Sequence, residues 1–270
     1  MSTSYVHGYD PRETERLADQ AGTLVELLHS DTAYPAGSTV LEAGCGVGAQ
    51  TVTLAQRSPE ARFTSVDLSA ESLVEAERKT SEAGLTNVEF RQADILDLPF
   101  ESKSFDHVFV CFVLEHLADP IEALAILEEV LRPGGTITVI EGDHGSAYFH
   151  PKSAAADAAV QCLVDLQAAA GGDSLIGRQV YPVMVQAGFD DVRVSPRMVY
   201  VDSSCPELVD GFTRKTFTAM VEGVREPALE AGMMDAEGFD AGIRDLNRTA
   251  EADGTFCYTF FKGVGQKPAN

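Results

Sequence analysis

Basic residues are scarce in this chain. Its 20 Lys and Arg stand against 42 Asp and Glu, a formal net charge of −22 over 270 residues. A surface of that sign repels phosphate backbones, which attract proteins through Lys and Arg clusters. The densest basic stretch is the dipeptide Arg78-Lys79, so nucleic acid is not expected as a substrate. Cysteine is sparse too: Cys45, Cys111, Cys162, Cys205 and Cys257 are far apart and never form CxxC. Neither a zinc site nor a disulfide framework is expected, and reduced thiols suit a cytoplasmic protein. No apolar run approaches the roughly 20 residues that span a bilayer. Met1 to Pro11 lacks the basic patch and apolar core of a signal peptide. The expectation is a cytoplasmic protein with no membrane partner and no metal.

An apolar fraction of 44% allows a full-sized core. From Thr39 onward, short apolar runs alternate with longer amphipathic segments. Val40 to Ala43 reads as a first strand, followed by a glycine turn and a helix to about Gln56. Arg62 to Leu68 is a second strand, and Ser69 to Ala83 a helix stopped by Gly84. Val88 to Arg91 is a third strand, and Phe105 to Phe112 a fourth, as continuously apolar as a central parallel strand. Asp119-Pro120 is an N-cap with proline at the first helical position, opening a helix to Leu131. Thr136 to Ile140 is a fifth strand; Val192 to Val201 and Phe256 to Val264 add two more. The alternation predicts βαβ units and an α/β, doubly wound, mostly parallel sheet. Two long stretches between the last strands, 153–170 and 206–247, read as helical; connections of that length are usually functional, often as lids. Ahead of the sheet, Leu17, Ala21, Leu24 and Leu28 recur at helical spacing over Glu13 to His29. Four parts follow: an N-terminal arm and helix (1–30), a core (31–144), a helical insertion (145–190), and the last two strands with their insertion (191–270).

The first strand runs into Glu42-Ala43-Gly44-Cys45-Gly46-Val47-Gly48-Ala49. Glycines after a strand and before a helix let the backbone turn sharply and approach a ligand closely. Asp67 ends the next strand, where a carboxylate can accept from both hydroxyls of a ribose. Gly44, Gly46 and Ala49 also satisfy the dinucleotide pattern GxGxxG/A. On the residues alone, a nicotinamide-dependent oxidoreductase stays open.

Five motifs stand in order. They are Glu42-x-Gly44-x-Gly46-x-Gly48, Asp67-Leu68-Ser69, Gln92-Ala93-Asp94-Ile95 with Leu98-Pro99-Phe100, Phe105-Asp106-His107-Val108 through Leu117, and Leu131-Arg132-Pro133-Gly134-Gly135. Together they resemble the motifs of class I S-adenosylmethionine-dependent methyltransferases. The resemblance implies a seven-stranded sheet in the order 3-2-1-4-5-7-6, the seventh strand antiparallel. It implies S-adenosyl-L-methionine as cofactor. Glu42, Gly44, Cys45, Gly46 and Gln50 would lie toward the methionine part, Asp67 would hold the ribose, and Leu68 would pack on the adenine. Asp94, with Ile95, would meet the adenine amine, and Cys111 would offer its backbone to the amino-acid end. Tyr5, Glu13, Arg16 and Gln20 are spaced as in the leading segment of methyltransferases from secondary metabolism, so Tyr5 and Arg16 would cover the cofactor.

Methyl transfer is an in-line displacement on a sulfonium carbon. The protein's task is to align the nucleophile and exclude water. A base is needed only where the acceptor must lose a proton. Candidates follow the fifth strand in Glu141-Gly142-Asp143-His144. His144 could take a proton near neutral pH, and Asp143 or Glu141 could orient it or contact a cationic acceptor. Phe212, Phe217, Met220, Met233, Met234 and Phe239 are residues more often of core than of pocket; any that face the cofactor would make the acceptor partly apolar. Tyr5 to Asp10, Gly145 to Gly177 and Pro206 to Asn247 are expected to close over it. A non-catalytic S-adenosylmethionine-binding protein remains the other alternative.

Overall fold

A computed structural model describes residues 24–269. Tyr5, Arg16 and most of the expected N-terminal helix lie outside them. Seven strands form one sheet: β1 (Thr39–Ala43), β2 (Arg62–Asp67), β3 (Val88–Gln92), β4 (Phe105–Cys111), β5 (Leu131–His150), β6 (Asp190–Val201) and β7 (Thr255–Gln266). Their order is β3-β2-β1-β4-β5-β7-β6, as the resemblance implied. β1 to β5 pair in parallel, with Val40 beside both Phe63 and His107, and Val108 beside Ile137. β7 runs antiparallel to β5. Lys267 N–H donates to Gly135 O at one end, and Thr259 N–H donates to Ser146 Oγ at the other.

Chain contacts divide the described residues into two units. The first comprises residues 25–142, 176–197 and 261–270. Its helices are α1 (Thr51–Arg57), α2 (Ala70–Glu82), α3 (Pro120–Val130) and α5 (Val180–Gln186). Local sequence sets their starts. Ser69 Oγ accepts Ser72 N–H ahead of α2, and Asp119 Oδ1 accepts Glu122 N–H ahead of α3, with Pro120 at the first turn. A continuous core of Leu41, Val66, Val108, Val110, Leu124, Leu127, Ile137 and Met184 fills this unit. Val108 to Cys111 of β4 and Ile137 to Ile140 of β5 are buried without alternation because helices cover both faces.

The second unit comprises residues 143–175 and 198–260. It holds α4 (Ala154–Ala169), a helical run through Pro206–Leu208, Val209–Thr218 and Ala219–Gly223, then α6 (Arg225–Glu230) and α7 (Ala236–Arg248). Val209–Thr218 is π-helical. α7 lies close on α4: a Cβ on Gly242 would stand 2.6 Å from Ala155 O. Six aromatic rings pack here: Phe149, Phe212, Phe217, Phe256, Tyr258 and Phe260.

One expectation fails. Asp143 and His144 do not follow the fifth strand; they lie within β5, which continues to His150. Pairing with β7 carries the strand through a polar, glycine-containing stretch that has no strand propensity of its own. All five cysteines are free thiols. Among the described residues no helix is long and apolar enough to cross a membrane.

Candidate functional site

The sheet changes winding direction between β1 and β4, and in open α/β sheets ligands bind outside the strands' carboxyl ends at such a point. The glycine turn sits there. Gly44 has φ +76, and a Cβ on it would come within 2.4 Å of Val113 on the loop after β4. Gly48 has φ +72, and its Cβ would stand 2.9 Å from the Ala76 backbone in α2. These two glycines are therefore packing requirements as well as conformational ones. A Cβ on Gly46 would meet nothing within 4 Å, so that part of the turn has room for a ligand.

Asp67 clamps the turn. Its Oδ2 accepts Gly46 N–H at 2.7 Å and its Oδ1 accepts Ser69 N–H at 2.9 Å. Burial raises its pKa while these backbone donors oppose the rise. Each carboxylate oxygen keeps a second lone pair for ribose hydroxyls. Leu68, next in sequence, is 59% exposed although apolar, which suits a surface that stacks on a flat ring. Asp94 accepts Leu96 N–H and is exposed, with Ile95 half-buried beside it.

Glu42 lies deeper. Its Oε2 accepts from Thr51 Oγ1 at 2.7 Å and from Ser65 Oγ at 2.6 Å, tying β1, α1 and β2 together beneath the turn. Burial, with the Asp67 charge adding, pushes its pKa up to about 7. Gln50 accepts from His29 Nε2 at 2.6 Å, and burial holds His29 neutral by lowering its pKa to about 4. Cys45 and Cys111 are buried with thiols pushed upward by desolvation. Neither is a nucleophile, which leaves Cys111 its backbone.

The loop after β4 carries strain. Phe112 has φ +58, costly for a bulky side chain and often tolerated near sites. Glu141 on β5 braces it: Oε1 accepts Val113 N–H at 3.0 Å and Leu114 N–H at 2.8 Å. The carboxyl is fully buried, and its Oε2 has no hydrogen-bond partner among the described residues. Burial, then the neighbouring Glu115 charge, raises its pKa well above the ordinary glutamate value. Sequence reasoning placed Glu141 among orienting or acceptor-facing groups. The structure shows a brace for the β4 loop.

In the second unit, Tyr258 Oη lies 2.7 Å from His144 Nδ1, and both side chains are buried. Asp143 Oδ1 accepts Gly145 N–H at 3.1 Å on its own strand. Tyr258 is the partner sequence reasoning missed; only the fold brings residues 114 positions apart together. Lys262 was missed as well. Buried in β7 of the first unit, its Nζ donates to Asp31 Oδ1, Thr32 Oγ1 and Leu28 O, anchoring the segment that precedes β1.

A doubly wound, mostly parallel seven-stranded sheet ending in 5-7-6 over this turn defines the Rossmann-like methyltransferase fold. Comparison with known proteins agrees: residues 41–139 match the family model described as a methyltransferase domain. An uncharacterized 37.1 kDa protein in transposon Tn4556 of Streptomyces fradiae is 35% identical over 190 residues, 69% of this chain and 54% of that protein. Methyltransferase GfsG of Streptomyces halstedii is 32% identical over 145 residues, 52% of each chain. Thus the chain spans about half the length of these curated relatives. Among solved structures, a Haemonchus contortus phosphoethanolamine N-methyltransferase 2, in complex with phosphomonomethylethanolamine and S-adenosylhomocysteine, superposes with a TM-score of 0.57 at 17% identity. That match covers 93% of this chain and 53% of the other.

Proposed function

We propose that the chain is an S-adenosylmethionine-dependent methyltransferase acting on a small-molecule acceptor. One observation carries this reading: the Asp67 carboxylate is fixed 2.7 Å from the Gly46 amide of an open-sided glycine turn, inside a methyltransferase domain. The residues present fit the cofactor. Gly44 to Gly48 and the backbone at Cys111 would hold its amino-acid part, Asp67 its ribose, and Leu68, Asp94 and Ile95 its adenine. The cofactor supplies a methyl group on a sulfonium that leaves readily. The protein's share is alignment and exclusion of water. The Glu141 brace fixes the strained loop beside that cradle.

The candidate base lies in residues 143–175 and 198–260. His144 is the group there that could take an acceptor proton, with Tyr258 setting its ring orientation and Asp143 shaping the strand beside it. Small-molecule acceptors are supported by the names of relatives such as methyltransferase GfsG, and the acidic surface argues against nucleic acid. Calorimetry with S-adenosylmethionine, its demethylated product and NAD tests the reading directly. The expected result is binding of the first two and none of NAD; NAD binding alone would overturn it.

A further inference from the structure

His29, in the first unit, ends a helical stretch over residues 24–29 ahead of β1. Its ring is 0% exposed and lies 5.8 Å from that of Phe109 in β4. The segment carrying it is pinned from two sides. Lys262 of β7 donates to Leu28 O, Asp31 and Thr32, and Arg57 of α1 donates to Ser30 O and pairs with Glu26. A residue wanted only for packing at such a place would be apolar, because a buried imidazole brings two nitrogens that need partners.

One nitrogen has its partner. His29 Nε2 lies 2.6 Å from Oε1 of Gln50, two residues past Gly48 of the glycine turn. Nδ1 has none among the described residues. Burial, opposed by the Gln50 hydrogen bond and aided by the Lys262 and Arg57 charges, lowers the pKa to about 4. The ring is therefore neutral and carries one hydrogen. On Nδ1 that hydrogen would be a buried donor facing no acceptor, in the field of two cations. On Nε2 it meets the Gln50 oxygen, and the bare Nδ1 lone pair is what those cations see. The Nε2–H form thus fixes the Gln50 amide with its oxygen spent on His29 and both N–H donors left over. Gln50 is half-buried, and its amide nitrogen bonds nothing among the described residues.

We infer that His29 is a positioning residue for cofactor recognition: it holds the Gln50 amide so that its N–H donors meet the carboxylate of the cofactor's amino-acid end. Without His29, the amide is free to turn its oxygen toward that carboxylate, and two acceptors cannot pair. The inference rests on the methyltransferase reading, in which the turn just before Gln50 holds that end, and it names the group that reads its negative charge.

The test is calorimetry on the full chain with S-adenosylmethionine and with its decarboxylated analogue, which keeps the sulfonium, ribose, adenine and ammonium. The parent should prefer the carboxylate-bearing ligand. His29→Leu should cut that preference by about tenfold, through weaker S-adenosylmethionine binding alone. His29→Gln returns an N–H donor and should recover most of it. Gln50→Leu should lose the same preference, and His29→Leu added to it should take nothing more. A purely structural His29 would weaken both ligands alike. Nitrogen NMR of the unaltered chain is independent of any variant's folding. It should show His29 in the Nε2–H form, unchanged from about pH 5.5 to about pH 8. Equal weakening of both ligands, a preference unmoved by His29→Leu, a further loss on top of Gln50→Leu, or the hydrogen on Nδ1 would each overturn the inference. Failure of the parent to bind S-adenosylmethionine sinks the methyltransferase reading instead; binding with an unmoved preference sinks the positioning role alone.

Discussion

Glu141 offers the sharpest test of the site's construction. Replacing it with alanine removes the acceptor for two buried amides, those of Val113 and Leu114. An orphaned buried donor costs about 1–3 kcal/mol, so the pair should cost about 3 kcal/mol after allowance for losing a buried carboxyl. At about 2–4 °C per kcal/mol for a chain of this size, Tm should fall by roughly 6–12 °C. Glutamine keeps the accepting oxygen and should cost about 1 kcal/mol at pH 5. The pH dependence then discriminates. The folded carboxyl's pKa lies well above its ordinary value, through burial and the Glu115 charge. Its stability contribution is therefore complete below the unfolded value and lost as pH rises toward the folded one. That loss is about 1.4 kcal/mol per pH unit, because the unfolded chain releases a proton the folded chain retains. Glu141→Gln escapes it, so its Tm should gain on the parent's between pH 5 and pH 7. Differential scanning calorimetry at several pH values reads both effects. A glutamine variant that loses ground as pH rises, or an alanine variant within about 2 °C of the parent, would refute the buried brace with its raised pKa.

Asp67→Ala should weaken S-adenosylmethionine binding by about 1.5–3 kcal/mol, roughly ten- to a hundredfold, by calorimetry, with the fold intact; unchanged affinity would place the ribose elsewhere. Gly48→Ala puts a Cβ 2.9 Å from the Ala76 backbone at φ +72 and should cost about 2–4 kcal/mol in a denaturant melt. Glu42→Gln should flatten the parent's stability loss between pH 4.5 and about 7, worth about 3 kcal/mol at most, since the folded pKa is raised and the parent is weakened as pH rises.

The cofactor half of the site was legible because its chemistry is local. A turn that needs positive φ at Gly44 and Gly48 can only be written with particular residues, and the strand before it is an apolar run that ends where the turn begins. Asp67 sits two residues before a serine N-cap, so strand end, carboxylate and helix start could be placed together. Partners brought in by the sheet were not legible. Ser65 and Thr51 bracket Glu42 from different elements, and nothing about a serine in a strand announces that its hydroxyl faces a buried carboxyl.

The acceptor half failed for a different physical reason. Glu141 to Ser146 is polar and glycine-containing, so local propensity says loop; the backbone is a strand only because β7 pairs with it. Tertiary pairing overrode propensity, and it moved His144 from an expected open turn into the interior beside Tyr258. The helical stretch erred more subtly. Phe212 and Phe217 read as core aromatics at a spacing that suits no α-helical face, and that mismatch is itself the signal of a π turn. Repeats of like residues five apart, Phe with Phe and Thr with Thr, are meaningless on a 3.6-residue helix and aligned on a wider one. Where such a pattern sits inside an otherwise helical run, the departure from α geometry is encoded in the side chains.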